Sequence, residues 1–436
     1  MTREPGSGRP AGAAARRLVE LDVLRAVAVV AVLGSHFPFL GKLDRLHVPA
    51  PVLAALRVWE RAGWLGVDLF FVLSGFLVSG LLFREYARDR RVDGKTFFLR
   101  RGLKIYPAFY FFLLVSAPLI AKIADPVPPV VYWVRFAGEV MFLQNYYGSL
   151  WNHTWTLAVE EHFYLLLLAL VLVLARRGRG AADPFRRIPV IFAGVAVLAL
   201  ASRLYLANEL VRGGDVDLED RILVWTHNRI DSLFFGVVIS YAWHFRAAAI
   251  RAWAGRWWPA LLVVAVAGVA PAMTLARPGH LVISTIGFTL QYLAFGALLL
   301  VTLVWAERPG AARILRRLAP LAWVGRHSYS VYLWHMVVAT FGVHFLRAAL
   351  GRTDLLGLEM TVYVVGAVVV GVAFSLLVEQ PVLELRERWL PSRSGAVPHQ
   401  LAAGTSDARS AGASPHVRGG GRAPALRSFS VGPVAG

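Results

Sequence analysis

The sequence of 436 residues contains no cysteine. That excludes disulfide bonds, thiolate nucleophiles, thiolate-ligated metal centres and S-palmitoylation together. Charge is also scarce: 17% of residues are Asp, Glu, Lys or Arg, against 57% hydrophobic. With a mean hydropathy of +0.56, this is not the composition of a soluble globular domain. No internal repeat is visible, so the inverted-repeat signature of many secondary transporters is missing. A small-residue cleavage site is missing too. The first apolar run ends in "GSHFPFL" and is read as a retained span, not as a secretory signal.

What the chain does have is apolar runs near 20 residues. They fall at about 19–37, 64–83, 102–121, 156–175, 188–206, 229–245, 257–275, 281–305, 327–346 and 358–380. They predict an all-α, polytopic transmembrane helical bundle of about ten spans, with the lipid bilayer as its first partner. The net charge of +19 sits in short loops between the runs, which marks topology and not nucleic-acid binding. The loop "REYARDRRVDGKTFFLRRGLK" has eight Lys/Arg and three acids, whereas "NELVRGGDVDLEDR" has five acids and two Arg. The positive-inside rule therefore predicts that the basic loops and both termini are cytoplasmic. Residues 1–17 read as a basic cytoplasmic segment and 18–390 as the transmembrane domain. Residues 391–436, rich in Gly, Ser, Ala, Pro and Arg, read as a disordered cytoplasmic tail.

Polar residues inside the spans carry the functional information. A charged side chain at mid-bilayer costs at least ~2.5 kcal/mol, so it faces a protein interior, a cavity or a partner. In "LDVLRAVAVVAVLGSH", Asp22 and Arg25 lie near one end and His36 at the other. At about 100° and 1.5 Å per residue, Arg25 and His36 return to one face roughly 16 Å apart. The predicted topology gathers His36, Asp68, Glu160, Arg229 and Asp231 in the outer half. It gathers Arg25, Arg100, Arg101 and Lys104 in the inner half, with Ser74 and His335 deeper in their spans. A basic inner mouth suits a phosphate-bearing cytoplasmic ligand. An imidazole flanked by carboxylates suits general-base chemistry on a hydroxyl.

Plainer explanations stand beside these. The bases at Arg100, Arg101 and Lys104 also serve as topology signals. Ser74 can bond a backbone carbonyl, His335 can be a packing residue, and Arg229 with Asp231 can be a structural ion pair. The adjacent carboxylates Glu160 and Glu161 are harder to dismiss, because at least one must enter the bundle.

Taken in order, these segments resemble a known family. Arg25 and His36 with ten residues between them are followed by "GVDLFFVLSGFL", "RRGLKIYP", "WTLAVEEHFY", "NRIDSLFFG", "SYSVYLWH" and the "VEQP" at Glu379. The set resembles the acyltransferase 3 family of bacterial ten-span membrane O-acyltransferases, which modify surface polysaccharides, lipopolysaccharide, peptidoglycan and some secondary metabolites. The likeness covers about residues 18–390. Departures are Thr156, Ala158 and His162 within "WTLAVEEHFY", and Lys104 where the family commonly has Arg.

The resemblance implies a multi-pass protein of a bacterial cell membrane that moves an acyl group, usually acetyl from acetyl-CoA, to a hydroxyl. The acceptor would be a carbohydrate, an envelope glycan or a secondary metabolite. His36 is expected to act as the base, with Glu160 orienting or stabilising its ring. A covalent acyl-histidine is the alternative use of the same imidazole. Arg25, Arg100, Arg101 and Lys104 would hold the donor phosphates. Asp22, Asp68, Ser74, Arg229, Asp231, Tyr329 and His335 would support the site or face the acceptor. Neither a metal nor a permanently bound cofactor is expected; acyl-CoA is a co-substrate. A fused esterase-like domain, found in some relatives, is not expected. The rival reading is a proton-coupled transporter or exporter of a small polar or glycan-like substrate.

Overall fold

The computed structural model describes residues 18–37, 42–123, 127–213, 217–274, 281–352 and 355–391. The segment 1–17 and most of the tail read from sequence as disordered lie outside the described residues. Among the described residues there are helices and no strand.

The chain opens with α1 (Val19–Ser35), α2 (Ala50–Ala62), α3 (Leu65–Asp89), α4 (Gly94–Ile123), α5 (Pro129–Val140) and the single turn α6 (Gln144–Tyr147). The middle third is α7 (Trp155–Arg177), α8 (Ile188–Val211), α9 (Asp217–Val224), α10 (Thr226–Phe245) and α11 (Ala247–Thr274). A π turn at Ile283–Gly287 leads into α12 (Phe288–Ala306), followed by the short α13 (Ala311–Arg317) and α14 (Ala319–Arg326). The last two long elements are each broken by a π turn. These are α15 (Ser328–Val337) with α16 (Val343–Leu350), and α17 (Leu356–Phe374) with α18 (Gln380–Trp389).

All ten apolar runs form helices. Nine helices among the described residues are long and apolar enough to cross a membrane, which makes this a multi-pass membrane protein. The tenth run is α1, which at 17 residues falls just short of that length. At 1.5 Å per residue it reaches about 25 Å, a little less than a bilayer core of roughly 30 Å. Much of α1 is enclosed by α2, α3 and α14, so few of its residues need match the lipid.

Close helix contact holds the interior together, because lipid tails give no hydrophobic drive for apolar helices to associate. At the α3–α10 crossing, a Cβ on Gly75 would collide with the Leu233 carbonyl oxygen, and one on Gly236 with that of Val72. The two backbones therefore touch. By contrast α8 and α11 leave most of their apolar surface open, as at Val190, Val197, Val263 and Val266.

The orientation read from the loops has a direct test. Reporter fusions after Arg179 should be active in the cytoplasm, and fusions after Arg212 outside it. The reverse pattern would invert the topology.

Candidate active site

His36 caps the last turn of α1, and the helix itself orients the ring. Its Nδ1 lies 3.1 Å from the Val32 carbonyl oxygen and 3.3 Å from Ser35 Oγ. Since Ser35 Oγ also donates to the Val32 carbonyl at 2.9 Å, that carbonyl is the acceptor for both. Nδ1 therefore carries the proton, and Nε2 keeps its lone pair.

Two further histidines crowd this one. The His335 ring centroid is 5.1 Å from that of His36, and His153 is 4.8 Å from His335. Both added rings are buried. Each is tied to a backbone carbonyl: His335 Nδ1 to Tyr332 at 2.5 Å, and His153 Nε2 to Leu333 at 3.1 Å. Their other nitrogens have no hydrogen-bond partner among the described residues. Burial, then the neighbouring His36, pushes the His153 imidazole down to about 3. It stays neutral at physiological pH.

The loop carrying His153 is pinned from several sides. Glu139 Oε1 accepts the Leu150 N–H at 3.0 Å and the Thr154 hydroxyl at 2.8 Å. Burial raises this carboxyl to about 7. Gln144 donates to the Thr154 carbonyl at 2.9 Å, and the Tyr332 hydroxyl to the His153 carbonyl at 2.7 Å.

A cavity of about 360 Å³ opens beside these rings. His36, His153, Tyr332, Trp64, Trp155 and Arg229 line it, with Glu60 and Arg61 also among its walls. Arg229 Nη2 donates to Asp68 Oδ1 at 2.8 Å, and the guanidinium lies 3.7 Å from the Phe288 ring centroid. Asp231 pairs instead with Arg203, through contacts of 2.9 and 3.3 Å. The "NRID" arginine and aspartate thus belong to two separate, fully buried ion pairs.

The inner group from sequence is divided. Arg101 lies over the Tyr164 ring, 3.9 Å from its centroid, and donates to its hydroxyl. That hydroxyl shares a hydrogen bond of 2.5 Å with Ser74. Lys104 is within electrostatic reach of Arg25, Arg101 and Glu379. Glu379 in turn accepts from Ser330 at 2.8 Å and Ser375 at 2.9 Å. Tyr329 donates to the Ile105 carbonyl at 3.0 Å. Arg100 stands apart: it pairs with Glu387 at 2.6 Å and with the Leu390 carbonyl, so α18 holds it.

Glu160 bridges the two halves electrostatically. It acts on Tyr332 on the His36 side and on Arg101 and Tyr164 on the other. It makes no hydrogen bond to His36; the orienting partner is the Val32 carbonyl. Asp22 is buried, and its carbonyl meets α14 where Gly325 leaves no room for a side chain. Among the described residues, no group of His, Asp and Glu is arranged to hold a metal ion.

Against known families, a model described as an acyltransferase domain matches residues 18–380. The chain belongs to the acyltransferase 3 family. An O-acetyltransferase named OatA from Staphylococcus aureus (strain NCTC 8325 / PS 47) is 27% identical over 341 residues, covering 75% of this chain and 51% of the relative. A putative O-acetyltransferase of Staphylococcus aureus (strain COL) is 28% identical over 244 residues, 52% of this chain and 35% of its own length. The chain thus spans about half the length of the OatA relatives it matches. No solved structure matches. Within the family match, sequence reasoning missed three residues at or supporting the site: His153, Glu139 and Arg203. His153 stands two residues before "WTLAVEEHFY", and Arg203 is a lone charge in the apolar run "LALASRLYLAN". Both had a signal, since a charge or imidazole in such a setting faces the interior. Glu139, on a short helix between spans, had none.

Proposed function

We propose that the chain is an integral-membrane O-acyltransferase of the bacterial cell membrane. It moves an acyl group, acetyl in the first instance, from acyl-CoA to a hydroxyl of a carbohydrate, an envelope glycan or a secondary metabolite. One observation carries the reading. A single helix bears Arg25 near one end and, at the other, a His36 ring whose Nδ1 is committed to Val32, beside a cavity able to hold an acceptor. Family membership supports the same chemistry.

In this mechanism the donor phosphates meet Arg25, Arg101 and Lys104, and the pantetheine arm runs along the bundle toward His36. The span of roughly 16 Å between Arg25 and His36 is one that a long flexible arm can bridge. The acceptor hydroxyl enters the cavity, and His36 Nε2 removes its proton. The oxygen attacks the thioester carbonyl, the C–S bond breaks, and the thiolate leaves and is protonated to free CoA. Glu160 stabilises positive charge through space on either side of it. The neutral His153 adds no charge to the histidine cluster.

The test is thiol release from acetyl-CoA by the purified full chain with a panel of hydroxyl acceptors. Arg101→Gln should raise the KM for acetyl-CoA about tenfold or more, since a hydrogen bond to a charged group is worth roughly 1.5–3 kcal/mol. Arg100→Gln should leave that KM near wild type, because α18 already occupies Arg100. A folded Arg101→Gln protein with unchanged KM would remove the donor role. Transport of solute by proteoliposomes without acetyl-CoA turnover would replace the enzyme reading with the transporter.

A further inference from the structure

The floor of the cavity contains a guanidinium with more donors than partners. Arg229 is 1% exposed and lines the cavity together with His36. Nη2 is bonded to Asp68 and the flat face rests on Phe288, but Nε and Nη1 have no partner among the described residues. An arginine carries five N–H donors and keeps its proton at any physiological pH. Buried donors of this kind are ordinarily satisfied, and those left bare call for a ligand or a function.

The second buried arginine makes the contrast. Arg203 directs Nη1 to the Asn228 carbonyl and Asp231 Oδ1, and Nη2 to Asp231 Oδ2 and Thr289 Oγ1. It is not among the residues lining the cavity. Nε is without a partner in both arginines among the described residues, so the difference lies at the terminal nitrogens: Arg203, away from the cavity, has both filled, whereas Arg229, lining it, has Nη1 bare. Charge sharpens the point. Asp68 and Asp231 balance Arg229 and Arg203, and at the walls Glu60 balances Arg61. The charges around the cavity thus sum to no excess negative charge; Asp68 Oδ2 is itself without a partner among the described residues, and the guanidinium beside it still has Nη1 to offer an acceptor atom. Charged acceptors form the shorter and stronger hydrogen bonds with guanidinium donors.

We propose that the cavity selects hydroxyl-bearing acceptors that also carry an anionic oxygen group, a carboxylate or a phosphate, held by Arg229 while the hydroxyl lies at His36. The anion site stands on the cavity geometry alone; only its pairing with the reacting hydroxyl rests on the acyltransferase reading.

The experiment measures binding and needs no turnover. Purified full-length protein in lipid nanodiscs is titrated calorimetrically with D-glucuronate, D-glucose 6-phosphate and D-glucose. At least one of the two anions should bind about tenfold or more tightly than glucose, and which one does so tells carboxylate from phosphate. The double variant Arg229→Gln/Asp68→Asn, which removes both members of the ion pair and leaves no orphan charge, should lose that preference. Wild-type protein that binds neither anion better than glucose overturns the proposal. So does a folded double variant that keeps the preference. A failure of the acyltransferase reading would register separately, as absence of acetyl-CoA turnover by the same preparation.

Discussion

His36→Ala protein should insert and fold normally yet lose acyl transfer by roughly 10²–10⁴-fold, the usual worth of a general base. Folding should survive because the ring is only half-buried and contributes one helix-end hydrogen bond to its own chain. Donor binding should survive as well, since the proposed mechanism assigns the donor phosphates to Arg25 and Arg101, far from the substitution. The measurement is single-turnover transfer from acetyl-CoA, alongside equilibrium binding of the donor to the same protein. Loss of turnover with donor affinity intact is the expected pair of results. Near-normal transfer by the well-folded variant would move the base to His335 or His153, whose unpartnered nitrogens lie in the same cluster.

The second large effect concerns the buried ion pair behind Arg229, between α8 and α10. Arg203 and Asp231 are both fully buried and joined at 2.9 Å. Removing one partner leaves a buried charge uncompensated, which typically costs about 3–5 kcal/mol. Arg203→Met should therefore unfold well below the wild-type temperature in detergent. The double variant Arg203→Met/Asp231→Leu should recover most of that loss, because replacing a whole buried pair with apolar groups is often neutral or better. Thermal denaturation followed by circular dichroism separates the outcomes. An Arg203→Met protein as stable as wild type would mean that water reaches Asp231.

Hydropathy alone was enough to read the long helices, though not the short ones between them such as α2 and α5. Each of the ten apolar runs became a helix, and the shortest, α1, is enclosed over much of its length by α2, α3 and α14. Periodicity predicts a shared face for Arg25, within α1, and His36, which caps that helix. Pairings between elements were another matter. Arg100 and Glu387 are 287 positions apart, and nothing in either segment names the other. Arg229 and Asp231 are near neighbours in sequence but bond to partners on different helices, since two residues along a helix differ by about 200°. Glu160 looked like the natural carboxylate for His36. A backbone carbonyl one turn away took that place, and backbone atoms have no sequence signature. The loop histidine His153 was missed because its position depends on Glu139, Gln144 and Tyr332, which come from three separate elements.

That backbone carbonyl changes how the site withstands mutation. A histidine steered by an aspartate can be misdirected by a single nucleotide change in the aspartate codon. The Val32 carbonyl belongs to every amino acid that a helix can tolerate at that position, so no side-chain exchange there deletes it. The tautomer of His36 is in this sense inherited from the helix and not from a partner residue. Side chains around the cavity can then be exchanged without turning the imidazole, whose orientation stays fixed for as long as α1 keeps its final turn.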